Sequence, residues 1–173
     1  MKPYILLTGA SGFIGKPLMQ ALVAHGYVVD PLRCRLHDEA ALAVACQGKT
    51  MVIHCAGEIR NRAKMIDTNV RGTNNMGTTA ALEGVRIFVH IGTASTRTHT
   101  DYGQSKARAE EIILAIGKSS AHMRVVIVRP PTLYGGMRGP KWWQGLKLLL
   151  MGRPLRLQSR EQCVAEIMRA AGL

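Results

Sequence analysis

The sequence predicts an α/β fold in which a doubly wound parallel sheet carries helices on both faces. Three observations support this prediction: short apolar runs alternate with segments of helical spacing, a glycine-rich string follows the first run, and 173 residues suffice for one substantial core. Apolar residues make up 47% of the chain and charged residues 20%, which are ordinary fractions for a globular protein. A disordered chain is therefore excluded.

The first unit joins a strand, a glycine-rich turn and a helix. The apolar run from Lys2 to Leu7 is typical of a strand buried on both faces, and the string T-G-A-S-G-F-I-G follows at Thr8–Gly15. Helical spacing comes next, with three apolar residues on the predicted inner side: Leu18, Leu22 and Val23. Gly26 ends this helix. Such a turn directs backbone N–H groups and a positive helix end at an anion, which favours a dinucleotide pyrophosphate over a plain strand-to-helix connection.

The same alternation continues along the chain. Four further strands are predicted: Tyr27–Asp30, Thr50–Cys55, Val85–Ile91 and Arg124–Val128. Three helices lie between them: a short one from Asp38, one over Met65–Leu82 and one over Asp101–Ile116. The predicted inner face of the last helix consists of Ala107, Ile112, Ile113 and Ile116.

The segment after Gly136 is also predicted to fold. Five apolar residues there suit an amphipathic helix whose aromatic residues pack in a core: Trp142, Trp143, Leu146, Leu149 and Leu150. Ser159 and Gln162 have the spacing of a capping box, which predicts a final helix that continues to Ala171.

The composition limits the cellular locations and the classes of partner that we expect for this protein. No stretch approaches the ~20 apolar residues that cross a membrane, so we expect a cytoplasmic protein. Four cysteines without C-x-x-C pairs or metal spacing predict reduced thiols and no metal site. The net charge of +12 favours acidic partners such as phosphorylated cofactors, nucleotide-sugars or nucleic acid. Because no nucleic-acid module accompanies the scattered basic residues, a solvated basic surface is the favoured interpretation.

A second string, Y-G-Q-S-K, sets a phenol and an ammonium four residues apart. Tyr102 and Lys106 therefore share one face of the predicted helix, and Thr93 ends the preceding strand. A free tyrosine, with a pKa of ~10, is a poor base and needs a nearby cation. The pattern predicts that Tyr102 transfers a proton at a substrate hydroxyl during hydride transfer, while Thr93 orients the oxygen. An exposed tyrosine and lysine on a helix are the alternative.

Six ordered motifs resemble the extended short-chain dehydrogenase/reductase family, the NAD-dependent epimerase/dehydratase group that acts largely on nucleotide-sugars. They are Thr8–Gly15, Val52–Gly57, Asn69–Asn75, His90–Thr93, Tyr102–Lys106 and Arg129–Gly135. The resemblance implies a Rossmann-type sheet and catalytic roles for Thr93, Tyr102 and Lys106. It also implies a cofactor site formed by Gly9, Ser11, Gly12, Phe13, Ile14, Gly15, Cys55, Ala56, Gly57, Asn69, Tyr102, Lys106 and Pro130.

The chain also departs from the family pattern. About twenty residues separate the second strand from Thr50, where the family places a helix and another strand, so one sheet edge is expected to be abbreviated. Thr93 and Tyr102 are closer than usual, and Thr132 replaces an asparagine that touches the sugar nucleotide in many relatives. Family members are about twice as long. We therefore expect a dinucleotide-binding domain over 1–135 and a reduced substrate-side segment over 136–173.

The choice of cofactor depends on the residues after the second strand. An acidic residue there would hold the ribose hydroxyls of NAD, whereas arginines would accept the 2′-phosphate of NADP. Asp30 lies at a suitable distance from the glycine string, but Arg33 and Arg35 follow it. By the resemblance, Arg33 falls nearer the discriminating position, which favours NADP over NAD.

Several alternatives stay open at this level. Net redox chemistry and epimerisation use the same hydride transfer, and the substrate is a small molecule of the nucleotide-sugar type or similar. A sensor that binds NADP without turnover, or a basic protein that binds nucleic acid, are the competing functions. The resemblance further implies a possible homodimer formed by the helix that carries Tyr102 and its neighbour at Asn69–Leu82.

Overall fold

A five-stranded parallel sheet forms the centre of the computed structural model, which describes residues 2–94, 100–134 and 157–173. Its strands are β1 (Tyr4–Thr8), β2 (Val28–Pro31), β3 (Met51–His54), β4 (Ile87–Ile91) and β5 (Arg124–Val128). They lie in the order β2-β1-β3-β4-β5, and every pairing is parallel. The order reverses between β1 and β3, so the carboxyl ends of these strands flank the crevice in which doubly wound sheets bind ligands.

Helices connect the strands and cover both faces. They are α1 (Gly15–Ala24), α2 (Glu39–Cys46), α3 (Arg62–Met65), α4 (Gly72–Leu82), α5 (Asp101–Ser119) and α6 (Arg160–Ala171). A π-helical segment, Ile66–Arg71, joins α3 to α4 without a break, since the residues at both junctions have helical dihedral angles. Two short strands, β6 (Thr132–Tyr134) and β7 (Leu157–Ser159), pair in parallel beside the main sheet. No helix in the described part of the chain is long and apolar enough to span a membrane.

Each face of the sheet has its own apolar cluster. The first lies under α1 and α6 and includes Ile5, Leu7, Leu18, Leu22, Ile53, Val89, Cys163 and Ile167. The second lies under α2, α4 and α5 and includes Leu6, Leu42, Val52, Met76, Phe88 and Ile113. Every residue of β3 is buried, as expected for a central parallel strand with helices on both sides. The predicted α/β class and doubly wound sheet are confirmed.

Several local predictions are confirmed and one is wrong. Gly26, with φ of 73°, follows the end of α1, and the capping box at Ser159 forms at the start of α6. Leu18 and Leu22 are buried, but Val23 is 55% exposed. Val23 follows Leu22 by one residue, which is a rotation of about 100° around the helix and carries it to solvent. The predicted helix around Trp142 and Trp143 lies outside the described residues.

The inner face of α5 differs from the prediction. Of the four residues predicted there, Ile113 is buried, whereas Ala107, Ile112 and Ile116 are half-buried. The buried stripe instead consists of Gly103, Ser105, Lys106, Ala109, Glu110 and Ile113. Two charged side chains thus occupy positions that an apolar pattern assigns to solvent, and this rotates the helix relative to the expectation.

The expected abbreviation of one sheet edge is confirmed. A single short helix, α2, connects β2 to β3, and Asp38 caps it by accepting a hydrogen bond from the Ala41 N–H at 3.0 Å. With no further strand in this connection, β2 is the outermost strand of the described sheet.

Candidate active site

The glycine-rich turn packs tightly against the end of β3. Gly9 has a φ of 67°, and a Cβ at this position would lie 2.7 Å from the Ala56 nitrogen. A Cβ at Gly15 would collide with the carbonyl oxygen of Gly9, which accepts a hydrogen bond from the Gly12 N–H at 2.9 Å. Ile14, at the start of α1, supplies no side-chain cap. The Lys16 N–H already donates to the Gly12 carbonyl at 3.1 Å, and Pro17 has no N–H. The amides available to an anionic ligand are therefore those that lead into α1 and include Gly15.

A buried chain of hydrogen bonds crosses the strand ends beside this turn. The Ala56 N–H donates to the Thr8 hydroxyl at 3.2 Å, and that hydroxyl lies 2.8 Å from Nδ1 of His54. At the other end, the Thr73 hydroxyl donates to the Asn69 carbonyl at 2.7 Å and lies 3.1 Å from Nε2 of His54. Because the Thr73 hydroxyl donates to the Asn69 carbonyl, Nε2–H of His54 donates to Thr73. Burial lowers the pKa of His54 to about 3, so the ring is neutral and its Nδ1 accepts from the Thr8 hydroxyl.

Asn69 links this network to α5. Its Oδ1 accepts from the Glu58 N–H at 2.7 Å, and its Nδ2 donates to the Glu58 carbonyl and to the Ser105 hydroxyl, both at 2.9 Å. Ser105 in turn donates to the Tyr102 carbonyl at 2.9 Å. Asn69 is fully buried in the π-helical segment, a distortion that often accompanies functional sites. The strand-end loop and the Y-G-Q-S-K helix are thus fixed to one another.

Tyr102, Lys106 and Thr93 line one cleft of about 330 Å³. Lys106 is only 3% exposed, and burial lowers its pKa to about 8, while the Glu110 carboxylate acts in the opposite direction. Burial raises the pKa of Tyr102, so the phenol is protonated at neutral pH. The cleft therefore pairs a proton-carrying phenol with a cation that titrates close to physiological pH.

The rest of the cleft comes from the glycine-rich turn and the ends of β3, β4 and β5. Its other lining residues are Gly12, Phe13, Ile14, Cys55, Gly57, Ile59, Ile91, Gly92, Pro130 and Pro131. Most of the predicted site residues are therefore brought together. Four others support the lining from behind or beside it: Gly9, Gly15, Ala56 and Asn69. Ser11 is exposed in the glycine-rich turn.

The residues predicted to choose the cofactor lie apart, along β2. The Asp30 carboxylate accepts a hydrogen bond from the Tyr4 hydroxyl at 2.7 Å and forms an ion pair with Lys49 at 3.0 Å. These two contacts lower the pKa of Asp30. Tyr4 begins β1 and Lys49 precedes β3, so both partners belong to the amino ends of strands. Arg33 and Arg35 are exposed in the segment that follows β2.

Sequence reasoning missed several residues that shape the site. The Glu58 carboxylate accepts three backbone N–H bonds, from Ile59, Arg60 and Asn61 at 2.7 to 3.0 Å, and so fixes the loop after β3. Such a carboxylate–amide nest has no signature in the residue pattern. His90, on β4, is also fully buried. Its ring centroid lies 5.7 Å from that of His54 on the neighbouring strand β3.

The described part of the chain contains neither a cluster of metal-ligating side chains nor a disulfide bond. No group of three or more metal-ligating side chains occurs among residues 2–94, 100–134 and 157–173. The four cysteines are free in this structure: Cys34, Cys46, Cys55 and Cys163. Burial raises the pKa of the Cys55 thiol to about 12, so this cleft residue is not a thiolate at neutral pH.

Comparisons with known proteins agree with the geometry. The model of the NAD dependent epimerase/dehydratase family matches residues 5–145. A UDP-glucose 4-epimerase of Vibrio cholerae is 28% identical over 94% of this chain and 61% of its own length. A sterol-4-alpha-carboxylate 3-dehydrogenase, decarboxylating, of Dictyostelium discoideum is 25% identical over 76% of this chain and 53% of its own length.

The fold itself is shared with solved enzymes. The structure of MoeE5 in complex with UDP-glucose and NAD superposes with a TM-score of 0.82 at 22% identity, over 98% of this chain and 72% of that one. The Bordetella bronchiseptica enzyme WbmG in complex with NAD superposes with a TM-score of 0.78 at 20% identity, over 99% and 69%. The chain spans about half the length of the curated relatives it matches.

Proposed function

Because the chain belongs to the NAD dependent epimerase/dehydratase family, we propose that it is an NAD(P)-dependent oxidoreductase or epimerase. The reaction transfers a hydride between nicotinamide and a carbon that bears a hydroxyl or carbonyl group, on a nucleotide-sugar or a similar small substrate. One observation carries the proposal: Thr93, Tyr102 and Lys106 line a single cleft that the glycine-rich turn closes on one side. Relatives that act on UDP-glucose support the substrate class.

The residues present fit a dinucleotide. The close approach of Gly9 to Ala56, and of Gly15 to Gly9, leaves no room for a Cβ, and the amides that lead into α1 and include Gly15 would hold the pyrophosphate. Further cofactor contacts are assigned to Ser11, Gly12, Phe13, Ile14, Cys55, Gly57, Asn69, Tyr102, Lys106 and Pro130. When bound, the nicotinamide accepts a hydride from the substrate or returns it.

The chain's own residues handle the proton. Tyr102 accepts the proton of the substrate hydroxyl as the hydride leaves and returns it in the reverse direction. Because burial raises the pKa of the phenol, the phenolate needs the Lys106 ammonium, which lies on the same face of α5. Thr93, at the end of β4, orients the substrate oxygen. Net redox chemistry and epimerisation use the same hydride and proton transfers, so this arrangement of residues suits either reaction.

The proposed cofactor is NADP or NAD, with NADP preferred. Arg33 and Arg35 are exposed after β2 and would accept a 2′-phosphate, whereas the Asp30 carboxylate already binds Tyr4 and Lys49. The solved relatives named above contain NAD, which supports a nicotinamide dinucleotide in general.

Other predictions accompany this proposal. A domain division at 135/136, a homodimer formed by α4 and α5, and a cytoplasmic location stay predictions. Size-exclusion chromatography with light scattering tests the homodimer directly.

The decisive experiment combines binding with turnover. We expect calorimetry to detect NADPH, and NADH more weakly, with wild-type protein, and UDP-glucose-type substrates to be converted. Tyr102→Phe should still bind the dinucleotide, through the remaining contacts, but lose turnover by roughly 100-fold or more, because it removes the proton carrier. Tyr27→Phe is the matched control and should leave both quantities unchanged. Unchanged turnover in Tyr102→Phe would refute the mechanism, and failure to bind either dinucleotide would refute the function.

A further inference from the structure

An ion pair between the buried Glu110 and the exposed Arg129 joins three segments one helical turn beyond Lys106. Glu110, on α5, is 5% exposed, and its Oε2 accepts hydrogen bonds from Nε and Nη2 of Arg129 at 2.8 and 2.7 Å. Its Oε1 is buried without a hydrogen-bond partner in the described part of the chain, and it lies against Gly92, where any Cβ would collide with it. Gly92 precedes Thr93, and Arg129 follows β5. The pair therefore joins the helix of the site to the ends of two strands.

The backbone is also fixed at this point. The Gly92 N–H donates to the Val128 carbonyl at 2.8 Å, and the Ala94 N–H donates to the Pro130 carbonyl at 3.0 Å. These two bonds continue the pairing of β4 and β5 beyond the strands themselves. Thr93 lies between the two bonded residues, so its backbone position depends on how these strand ends are held against α5.

Glu110 also acts on the site through its negative charge, which lies close to the Lys106 ammonium group. Tyr102, Lys106 and Glu110 follow one another at intervals of four residues and so share one face of α5. Burial lowers the pKa of Lys106 to about 8, and the Glu110 carboxylate opposes this shift. The other titratable groups that interact with Lys106 come from β3, the residue after it, and β4: His54, Cys55 and His90. Both histidines are neutral, and Cys55 is a thiol, so Glu110 is the anion among them.

We propose that Glu110 and Arg129 form a positioning pair, which fixes Thr93 relative to Tyr102 and holds Lys106 as an ammonium ion. The inference rests on the function proposed above and extends it to two residues outside the reacting set. Two guanidinium donors on one carboxylate oxygen give a directional contact, and the unpartnered Oε1 is tolerated because Gly92 leaves the space for it. A shift of about 1 Å in a reacting group can cost 100-fold in rate, so such a pair matters to the chemistry.

The test compares Glu110→Gln with Glu111→Gln. Both variants remove one negative charge from α5 at adjacent positions, but Glu111 is exposed. In protein without cofactor, the pH midpoint for acetylation of the Lys106 amine by acetic anhydride is measured by peptide mass spectrometry. We expect a lower midpoint in Glu110→Gln, because the anion that opposes desolvation is gone, and an unchanged midpoint in Glu111→Gln.

Hydrogen exchange supplies a second readout in the same proteins. The amides of Gly92 and Ala94 should exchange roughly tenfold faster in Glu110→Gln than in Glu111→Gln, because the strand ends lose their tie to α5. Arg129→Lys should also accelerate this exchange while leaving the Lys106 midpoint in place, since the carboxylate remains. This variant keeps the test decisive if Glu110→Gln fails to fold.

Equal midpoints and equal exchange rates in the two glutamine variants would overturn the proposal. With an accepted substrate, Glu110→Gln should lower kcat roughly tenfold while KM changes less than about twofold, as expected for a positioning role. Neither readout without cofactor depends on turnover. An inactive wild-type protein would therefore refute the proposed function and leave the positioning pair to be judged on its own measurements.

Discussion

The two faces of the sheet differ in what they bury. Under α1 and α6 the buried cluster is apolar throughout. Under α4 and α5 an apolar cluster is joined by the buried polar residues of the described chain, which are Thr8, His54, Asn69, Thr73, Thr79, His90, Ser105, Lys106 and Glu110. Apolar contacts are non-directional, whereas hydrogen bonds fix distances and angles. Apolar packing therefore stabilises both faces, whereas the second face also orients the site.

Acid should break the polar face first and produce the largest effect. Burial lowers the pKa of His54 to about 3 and that of His90 well below its usual value. The unfolded chain binds a proton at each histidine near pH 6.5, whereas the folded protein keeps both neutral, so stability falls as the pH falls below 6.5. The slope approaches about 1.4 kcal/mol per pH unit for each histidine, and the summed loss between pH 7 and 5 is roughly 4 kcal/mol. Urea unfolding at a series of pH values measures it.

His90→Leu sharpens this prediction. Neither ring nitrogen of His90 has a hydrogen-bond partner among the described residues, so leucine should leave stability at pH 7 equal or higher and remove about half of the acid slope. His122→Gln, an exposed change, should keep the full slope. An acid slope in His90→Leu equal to that of wild type would contradict the assignment.

Truncation on the apolar face should cost stability and leave the site intact. Ile167, on α6, is fully buried, and Ile167→Ala should lower the free energy of unfolding by about 3 kcal/mol through lost transfer energy and the cavity left behind. The dissociation constant of the bound dinucleotide, measured on the folded variant, should change less than about twofold. A large loss of affinity would show that the two faces are not separable.

Ser105→Ala should give the smallest change in stability and a larger change at the site. It removes the hydrogen bond from Asn69 and the bond to the Tyr102 carbonyl, at an expected cost of about 1 kcal/mol. Because these bonds connect α5 to the strand-end loop, we expect Ser105→Ala to lower the affinity for the dinucleotide more than Ser119→Ala does. Ser119 donates to the Ala115 carbonyl on the exposed end of the same helix. Equal affinities in the two variants would contradict the orienting role.

Hydrophobic periodicity and the conformational requirements of glycine turns and helix caps are the features of the fold that the sequence predicts. The apolar run predicts the strand at Arg124–Val128 with its observed bounds. The glycine string, Ser159 and Gly26 are recognisable because each meets a local physical requirement. The abbreviated edge followed from the short spacing before Thr50.

What the sequence could not predict depends on contacts between distant residues. Glu110 resembles any exposed helical glutamate until Arg129 and Gly92 are placed beside it. The π-helical segment has no distinct composition, and it is held by the bonds of Asn69 to Glu58 and Ser105. The tautomer of His54 likewise depends on partners 46 and 19 positions away.

The short edge of the sheet also bears on self-association. The Leu32 N–H donates inward to the Leu7 carbonyl, so Pro31, one residue earlier, has its backbone nitrogen on the side that faces away from β1. Proline has no N–H to offer there, and β2 contains only four residues. A sheet shortened at this side would otherwise present a row of unpaired groups to other chains. Pro31 therefore removes one of the N–H donors with which a strand of another chain could pair at this edge.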